Sequence, residues 1–98
     1  MISKQQSTKV EIYTWRMCGY CLRAKQLLED KNIDFIEYAI DGEDEAHQQM
    51  IARANGRRSM PQIFINDMGV GGYFELLQLE QEGRLDVLLN DRTGSYDI

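Results

Sequence analysis

Apolar and polar residues alternate through Val10-Glu11-Ile12-Tyr13-Thr14, a run rich in β-forming side chains, so the chain's first regular element is predicted to be a short strand. The period then changes. From about Tyr20 to Asn32, Leu22, Ala24, Leu27 and Leu28 recur at helical spacing, and Asn32 is a natural stop for that helix. Ile33 to Tyr38 returns to a strand pattern, and Asp41-Gly42 followed by Glu43-Asp44-Glu45 opens a second helix, with acids where the helix dipole favours them. It runs to about Ala54, where Asn55-Gly56 ends it. Gln62-Ile63-Phe64-Ile65 is a short apolar strand, Asn66-Asp67 a turn, and Met68-Gly69-Val70 a brief return strand, which together read as a hairpin. Gly71-Gly72 then leads into a helix over Tyr73–Gln81 that Gly83 stops, and Leu85, Val87, Leu88 and Leu89 add a last helical turn or two.

The resulting order, β-α-β-α-β-β-α, implies an α/β fold of thioredoxin-like type. A right-handed crossover makes the first two strands parallel, and helices should cover both faces of one four-stranded mixed sheet. The domain is expected over residues 9–89, between an N-terminal extension at 1–8 and a polar, mobile C-terminal tail at 90–98.

A chain of 98 residues suits one domain that folds without staples, and no apolar run approaches the roughly 20 residues of a membrane-spanning helix. No secretory signal is visible at the start, so a cytoplasmic location is expected. The net charge of −5 argues against nucleic acid or an anionic membrane as partner. Its distribution adds something. Ile12–Leu28 and Ala46–Asn66 contain no acid but carry Arg16, Arg23, Lys25, Arg53, Arg57 and Arg58. If these windows meet in space they make a positive field suited to a small anionic ligand; the alternative is a set of solvated cations.

The chain's two cysteines, Cys18 and Cys21, stand between the first strand and the first helix as Cys18-Gly19-Tyr20-Cys21. A cysteine that opens a helix faces unpaired backbone N–H groups and the positive end of the dipole, which favours thiolate. A second cysteine about one helical turn on can close a disulfide with it. Structural zinc is disfavoured because four ligands are needed, and only His47, on another element, could join the pair.

Val10–Thr14, Cys18-x-Tyr20-Cys21, Met60-Pro61-Gln62-Ile63-Phe64-Ile65, Gly71-Gly72 and the Leu-rich helix with Gly83-x-Leu85 together resemble the glutaredoxins, over about Val10 to Leu89. Gly19 stands where the dithiol class usually has proline. The resemblance implies a glutathione-dependent thiol-disulfide oxidoreductase acting on protein disulfides and glutathionylated proteins. Cys18 would be the nucleophile and Cys21 the resolving thiol. It further implies a glutathione site formed by Tyr20, Arg57, Met60, a cis Pro61, Gly72, Tyr73, Phe74 and Glu75. Met60 would pair with glutathione through its backbone, and the helix start after Gly72 would bind the γ-glutamyl carboxylate.

Two positions depart from the family pattern. Phe74 replaces one acid of a pair at that helix start, leaving Glu75 to partner an ammonium. Trp15 replaces a lysine, so it is either a packing residue or a rim for a peptide substrate, while Arg16 should point to the other side. Among the remaining residues, His47 is expected to face solvent and Met17 to shield the sulfur. Gly19 also raises an alternative. In the family, glycine there is associated with a [2Fe–2S] cluster that two protomers hold through Cys18 and two glutathiones, which would turn a monomer into a cluster-bridged homodimer. A thioredoxin-like protein served by a reductase is a third reading.

Overall fold

The computed structural model describes residues 8–90, and of the expected extension and tail only Thr8 and Asn90 fall among them. Strand β1 (Val10–Thr14) leads to helix α1 (Gly19–Asp30), strand β2 (Ile36–Ala39) and helix α2 (Asp44–Arg53). The hairpin of β3 (Gln62–Ile65) and β4 (Met68–Gly71) follows, then α3 (Tyr73–Gln81) and α4 (Leu85–Leu89). The sheet order is β2-β1-β3-β4, with β1 parallel to β2 and the other pairs antiparallel. This is the expected thioredoxin-like α/β arrangement.

Three helix ends have the same cause. Asn32, Asn55 and Gly83 each adopt positive φ just past a helix, and the next residue donates its N–H back into the last turn, Ile33 to Leu28 O at 2.9 Å, Gly56 to Ile51 O at 2.9 Å and Arg84 to Leu79 O at 2.9 Å. The first of these corrects an expectation. Ile33 is held by the end of α1, so β2 begins at Ile36 rather than Ile33. The hairpin turn is two residues, Asn66 and Asp67, both at positive φ, which matches the right-handed twist of the flanking strands.

The apolar core lies on one face of the sheet. Val10 and Ile12 of β1 and Ile63 and Ile65 of β3 pack there against Ala24 and Leu28 of α1, Leu76 of α3, and Leu85 and Leu89 of α4. In α1 the buried stripe is Cys21, Ala24 and Leu28, while Leu22, one of the apolar positions at helical spacing, is exposed beside the cysteines. The opposite face meets α2 and is different in kind. Arg53 of α2 lies over the Phe64 ring at 4.1 Å and donates to the carboxylate of Glu11 at 2.7 and 3.3 Å, to Tyr13 Oη at 3.1 Å and to Asp67 at 3.0 Å. Tyr38 Oη also donates to Glu11, at 2.7 Å. Arg53 is therefore a structural cation and not part of a solvated face. Among the described residues no helix is long and apolar enough to cross a membrane.

Candidate active site

The segment between β1 and α1 is held by a residue that the sequence placed only at the opening of the second helix. Asp41 accepts the backbone N–H of Arg16 with both carboxylate oxygens, at 2.8 and 3.1 Å, and the Cys18 N–H then bonds Arg16 O at 3.0 Å. That turn delivers Cys18 to the helix cap in extended geometry. Its Sγ accepts the Cys21 N–H at 3.1 Å and its carbonyl accepts the Leu22 N–H at 3.1 Å. A sulfur in this position receives backbone hydrogen bonds and the positive end of the helix, both of which favour the thiolate when the bond to Cys21 is open. The two cysteines form a disulfide, with Cα atoms 5.2 Å apart. They are unequal in access. Cys21 is 2% exposed, whereas Cys18 is half-buried.

The eight residues implied as a glutathione site converge on one cavity of about 520 Å³. Tyr20 comes from the first turn of α1, Arg57, Met60 and Pro61 from the segment before β3, and Gly72, Tyr73, Phe74 and Glu75 from the start of α3. The Met60-Pro61 bond is cis, as the resemblance implied. Ser59 and Gln62 also line the cavity and were missed, because a glutamine in an apolar strand reads as packing. Gln62 is buried and donates to Ser59 O at 3.0 Å, which ties the cavity floor together.

Charge in the cavity is sparse. Arg57 makes no ion pair among the described residues. Glu75, expected to meet an ammonium, turns one carboxylate oxygen back to accept the Gly72 N–H at 2.8 Å. Glycine has no side chain to return the bond, so among the described residues the other first-turn N–H groups of α3 have no side-chain cap. Gly71, at φ +116°, explains how Arg57 reaches its place. A Cβ there would collide with the Arg57 guanidinium and stand 2.9 Å from Glu75 Cγ, so only glycine leaves both side chains where they are. Tyr20 stacks on Tyr73 with ring centroids 6.1 Å apart, and Phe74 meets both edge-on at 5.1 and 5.3 Å, joining the starts of α1 and α3 by an aromatic wall.

Cys18 and Cys21 do not line that cavity. They line a second one of about 320 Å³, together with Thr14, Trp15, Leu22 and the paired Lys25 and Glu37. Lys25 Nζ is 3.0 Å from Glu37, and Thr14 donates to the same carboxylate at 2.6 Å. Burial pushes the Glu37 carboxyl up, but these two partners outweigh it and hold it below the ordinary carboxylate range. The positive field foreseen from the acid-free windows is therefore reduced. Lys25 and Arg53 are paired, and Arg16 is 3.9 Å from Asp41, which leaves Arg23, Arg57 and Arg58 as its remaining contributors. His47 is also corrected. It is half-buried, meets the Trp15 indole edge-on at 5.2 Å and contacts Arg58 O through Nε2 at 3.2 Å. Among the described residues no three His, Cys, Asp or Glu side chains are grouped to hold a metal ion.

A redox-active cysteine pair at the cap of α1 on a thioredoxin-like sheet defines a thiol-disulfide oxidoreductase. The comparisons narrow the class. The glutaredoxin family model matches residues 10–70. Probable glutaredoxin slr1562 of Synechocystis is 59% identical over 81 residues, covering 83% of this chain and 74% of the relative. Glutaredoxin 3 of Escherichia coli is 48% identical over 80 residues, covering 82% and 95%. The solution structure of a glutaredoxin from Brucella melitensis superposes with a TM-score of 0.74 at 44% identity, covering 91% of this chain and 94% of that one. The chain belongs to the glutaredoxin family, and its Cys-Gly-Tyr-Cys pair is consistent with the dithiol class.

Proposed function

We propose that this oxidoreductase takes its electrons from glutathione and reduces glutathione mixed disulfides and protein disulfides. The observation that carries the reading is the convergence of all eight expected residues on one cavity next to the cysteine turn, where the Arg57 guanidinium makes no ion pair among the described residues. Glutathione carries two carboxylates. Arg57 suits one of them and the first-turn N–H groups of α3 suit the other, while the backbone of Met60 suits the peptide between.

The chemistry follows from the two sulfurs. The Cys18 thiolate attacks the glutathione sulfur of a glutathionylated protein, the protein leaves as a thiolate, and a Cys18–glutathione disulfide forms. A second glutathione thiolate then attacks that sulfur, releasing oxidised glutathione and restoring Cys18. With a protein disulfide, Cys18 forms the mixed disulfide and Cys21 attacks Cys18 to release the reduced substrate. Two glutathiones then reduce the Cys18–Cys21 bond and leave as oxidised glutathione. Turnover is preferred to cluster carriage because a disulfide with Cys21 consumes the thiolate that a [2Fe–2S] cluster would take.

Arg57→Ala is expected to raise the KM for glutathione about tenfold with kcat changed less than about twofold, the signature of lost ground-state binding. Gly71→Ala should act in the same direction by displacing Arg57, and should add little in the Arg57→Ala background. Gly83→Ala controls for backbone strain, since Gly83 has φ +72° but open space around it. Steady-state kinetics with glutathione as the varied substrate check this, and an unchanged KM in Arg57→Ala would sink the assigned role.

A further inference from the structure

The second cavity contains none of the eight residues expected to hold glutathione, yet it is the one that both cysteines line. We infer that it seats the polypeptide side of a protein substrate, an apolar residue beside the partner's cysteine resting on Trp15 and Leu22 with a nearby acidic residue at Arg16.

Several observations carry this. Of the eight large apolar side chains exposed among the described residues, five, Trp15, Met17, Tyr20, Leu22 and Phe74, lie at the end of the molecule that bears Cys18. Trp15 and Leu22 stand on the cysteine cavity, whereas Tyr20 and Phe74 stand on the other, so an apolar surface flanks Cys18 on both sides. A clustered apolar surface marks an interaction site better than scattered exposure does. Trp15 is also ordered in advance. His47 braces the indole edge and is itself held at Arg58 O, so a partner need not pay to immobilise the ring.

Charge decides which partner fits. Lys25 and Glu37 neutralise one another inside the cavity. Arg16 has its side chain 83% exposed, and Asp41 directs both oxygens to the Arg16 backbone N–H at 2.8 and 3.1 Å, with only a 3.9 Å approach to the guanidinium. Arg23 is likewise exposed, over the Tyr20 ring at 5.9 Å. No acid occurs between Ile12 and Leu28. The rim therefore complements an acidic, apolar segment. A polypeptide is the occupant because both cysteines line this cavity: Cys18 must bond the partner's cysteine, and the residues flanking that cysteine then lie on the rim. In that step the Cys18 thiolate forms a bond to one partner sulfur and the other partner sulfur leaves as thiolate. Cys21 then displaces the first, so Cys18 and Cys21 are oxidised and the partner disulfide is reduced.

The inference rests on the oxidoreductase reading above, and the test separates the two. The full chain and Trp15→Ala are assayed with glutathione on three substrates: hydroxyethyl–glutathione disulfide, a peptide closed by its own disulfide with Leu and Asp flanking the attacked cysteine, and the same peptide with Gly and Lys. The full chain should prefer the Leu/Asp peptide about tenfold in kcat/KM, and Trp15→Ala should remove most of that preference while changing the small disulfide less than about twofold. Trp15 is the chain's sole tryptophan, which supplies a second readout. Its acrylamide quenching is compared in Cys21→Ser protein joined at Cys18 to the Leu/Asp peptide or to glutathione. Shielding by the peptide alone supports the inference. Equal quenching in the two adducts, equal rates on the two peptides, or shielding that grows with protein concentration without peptide would each overturn it, the last by pointing to a second copy of the chain. Failure to turn over hydroxyethyl–glutathione disulfide would instead defeat the glutathione reading, while the chemically formed adducts still report on the cavity.

Discussion

Replacing Cys18 with serine is expected to bring reduction of a glutathione mixed disulfide down to the uncatalysed rate, whereas Cys21→Ser should lose less than about tenfold, under about 1.4 kcal/mol of transition-state stabilisation. The asymmetry comes from position. Cys18 caps α1, is half-buried and accepts the Cys21 N–H at 3.1 Å, while Cys21 lies one turn inside at 2% exposure. A serine hydroxyl at position 18 can take the same hydrogen bond but does not ionise at neutral pH and cannot form a disulfide. Serine at position 21 leaves the two-glutathione route intact and removes only intramolecular resolution. On a protein disulfide, therefore, Cys21→Ser should stall as a covalent adduct, visible by intact-mass measurement. Equal loss in both variants on the small disulfide would contradict the assignment of roles.

The contrast between these cysteines was legible in the sequence because it depends on local geometry, a cap residue and its neighbour one turn later. The helix ends were legible for the same reason. Asn32, Asn55 and Gly83 act within a few residues of themselves, and each is found at positive φ where the chain leaves a helix. What local reading misplaced was the share of residues between neighbouring elements. Ile33 looks like the start of a strand by composition, but its N–H bonds Leu28 O, and the helix end takes it.

The site divides in the same way. The residues expected to hold glutathione were reached through motifs, and all of them meet in one cavity. Ser59 belongs to no motif, and Gln62, Gly71 and Asp41 read only as strand, turn and helix opening; their parts in the site appear only once the segment before β3, the start of α3 and the turn after β2 are brought together. Trp15 is the clearest case. Its sequence left packing and peptide rim equally open, and its place in the cavity that both cysteines line, braced by a histidine expected in solvent, favours the rim.

Arg53 was the furthest from being readable, and breaking its pairing should have the largest effect on stability. Its partner Glu11 lies 42 residues away in a strand whose alternation faces it toward α2, and Glu11 is only 4% exposed. Arg53→Met keeps much of the side chain's packing over Phe64 but strips a buried carboxylate of its main partner, leaving Tyr38 and Lys9. The expected cost at neutral pH is about 3 kcal/mol, toward the low end for a broken buried pair because the Arg53 side chain keeps some solvent contact. For a domain of this size that lowers Tm by about 12 °C or more. The double variant Glu11→Leu with Arg53→Met should recover a large part of the loss, since no buried charge is then left alone. The pH dependence gives a sharper check. Hydrogen bonds from Arg53 hold the Glu11 carboxyl below the usual carboxylate range against the opposing effect of burial, with Tyr38 assisting. Its contribution to wild-type stability is therefore complete above the ordinary carboxylate pKa and disappears as the pH falls through the lowered value. Without Arg53, burial raises the same pKa, and protonation then relieves the variant while it still weakens the wild type. The gap between the two urea midpoints should narrow as the solution is acidified from neutrality; a gap independent of pH would mean that Arg53 stabilises the fold by packing on Phe64 and not by neutralising Glu11.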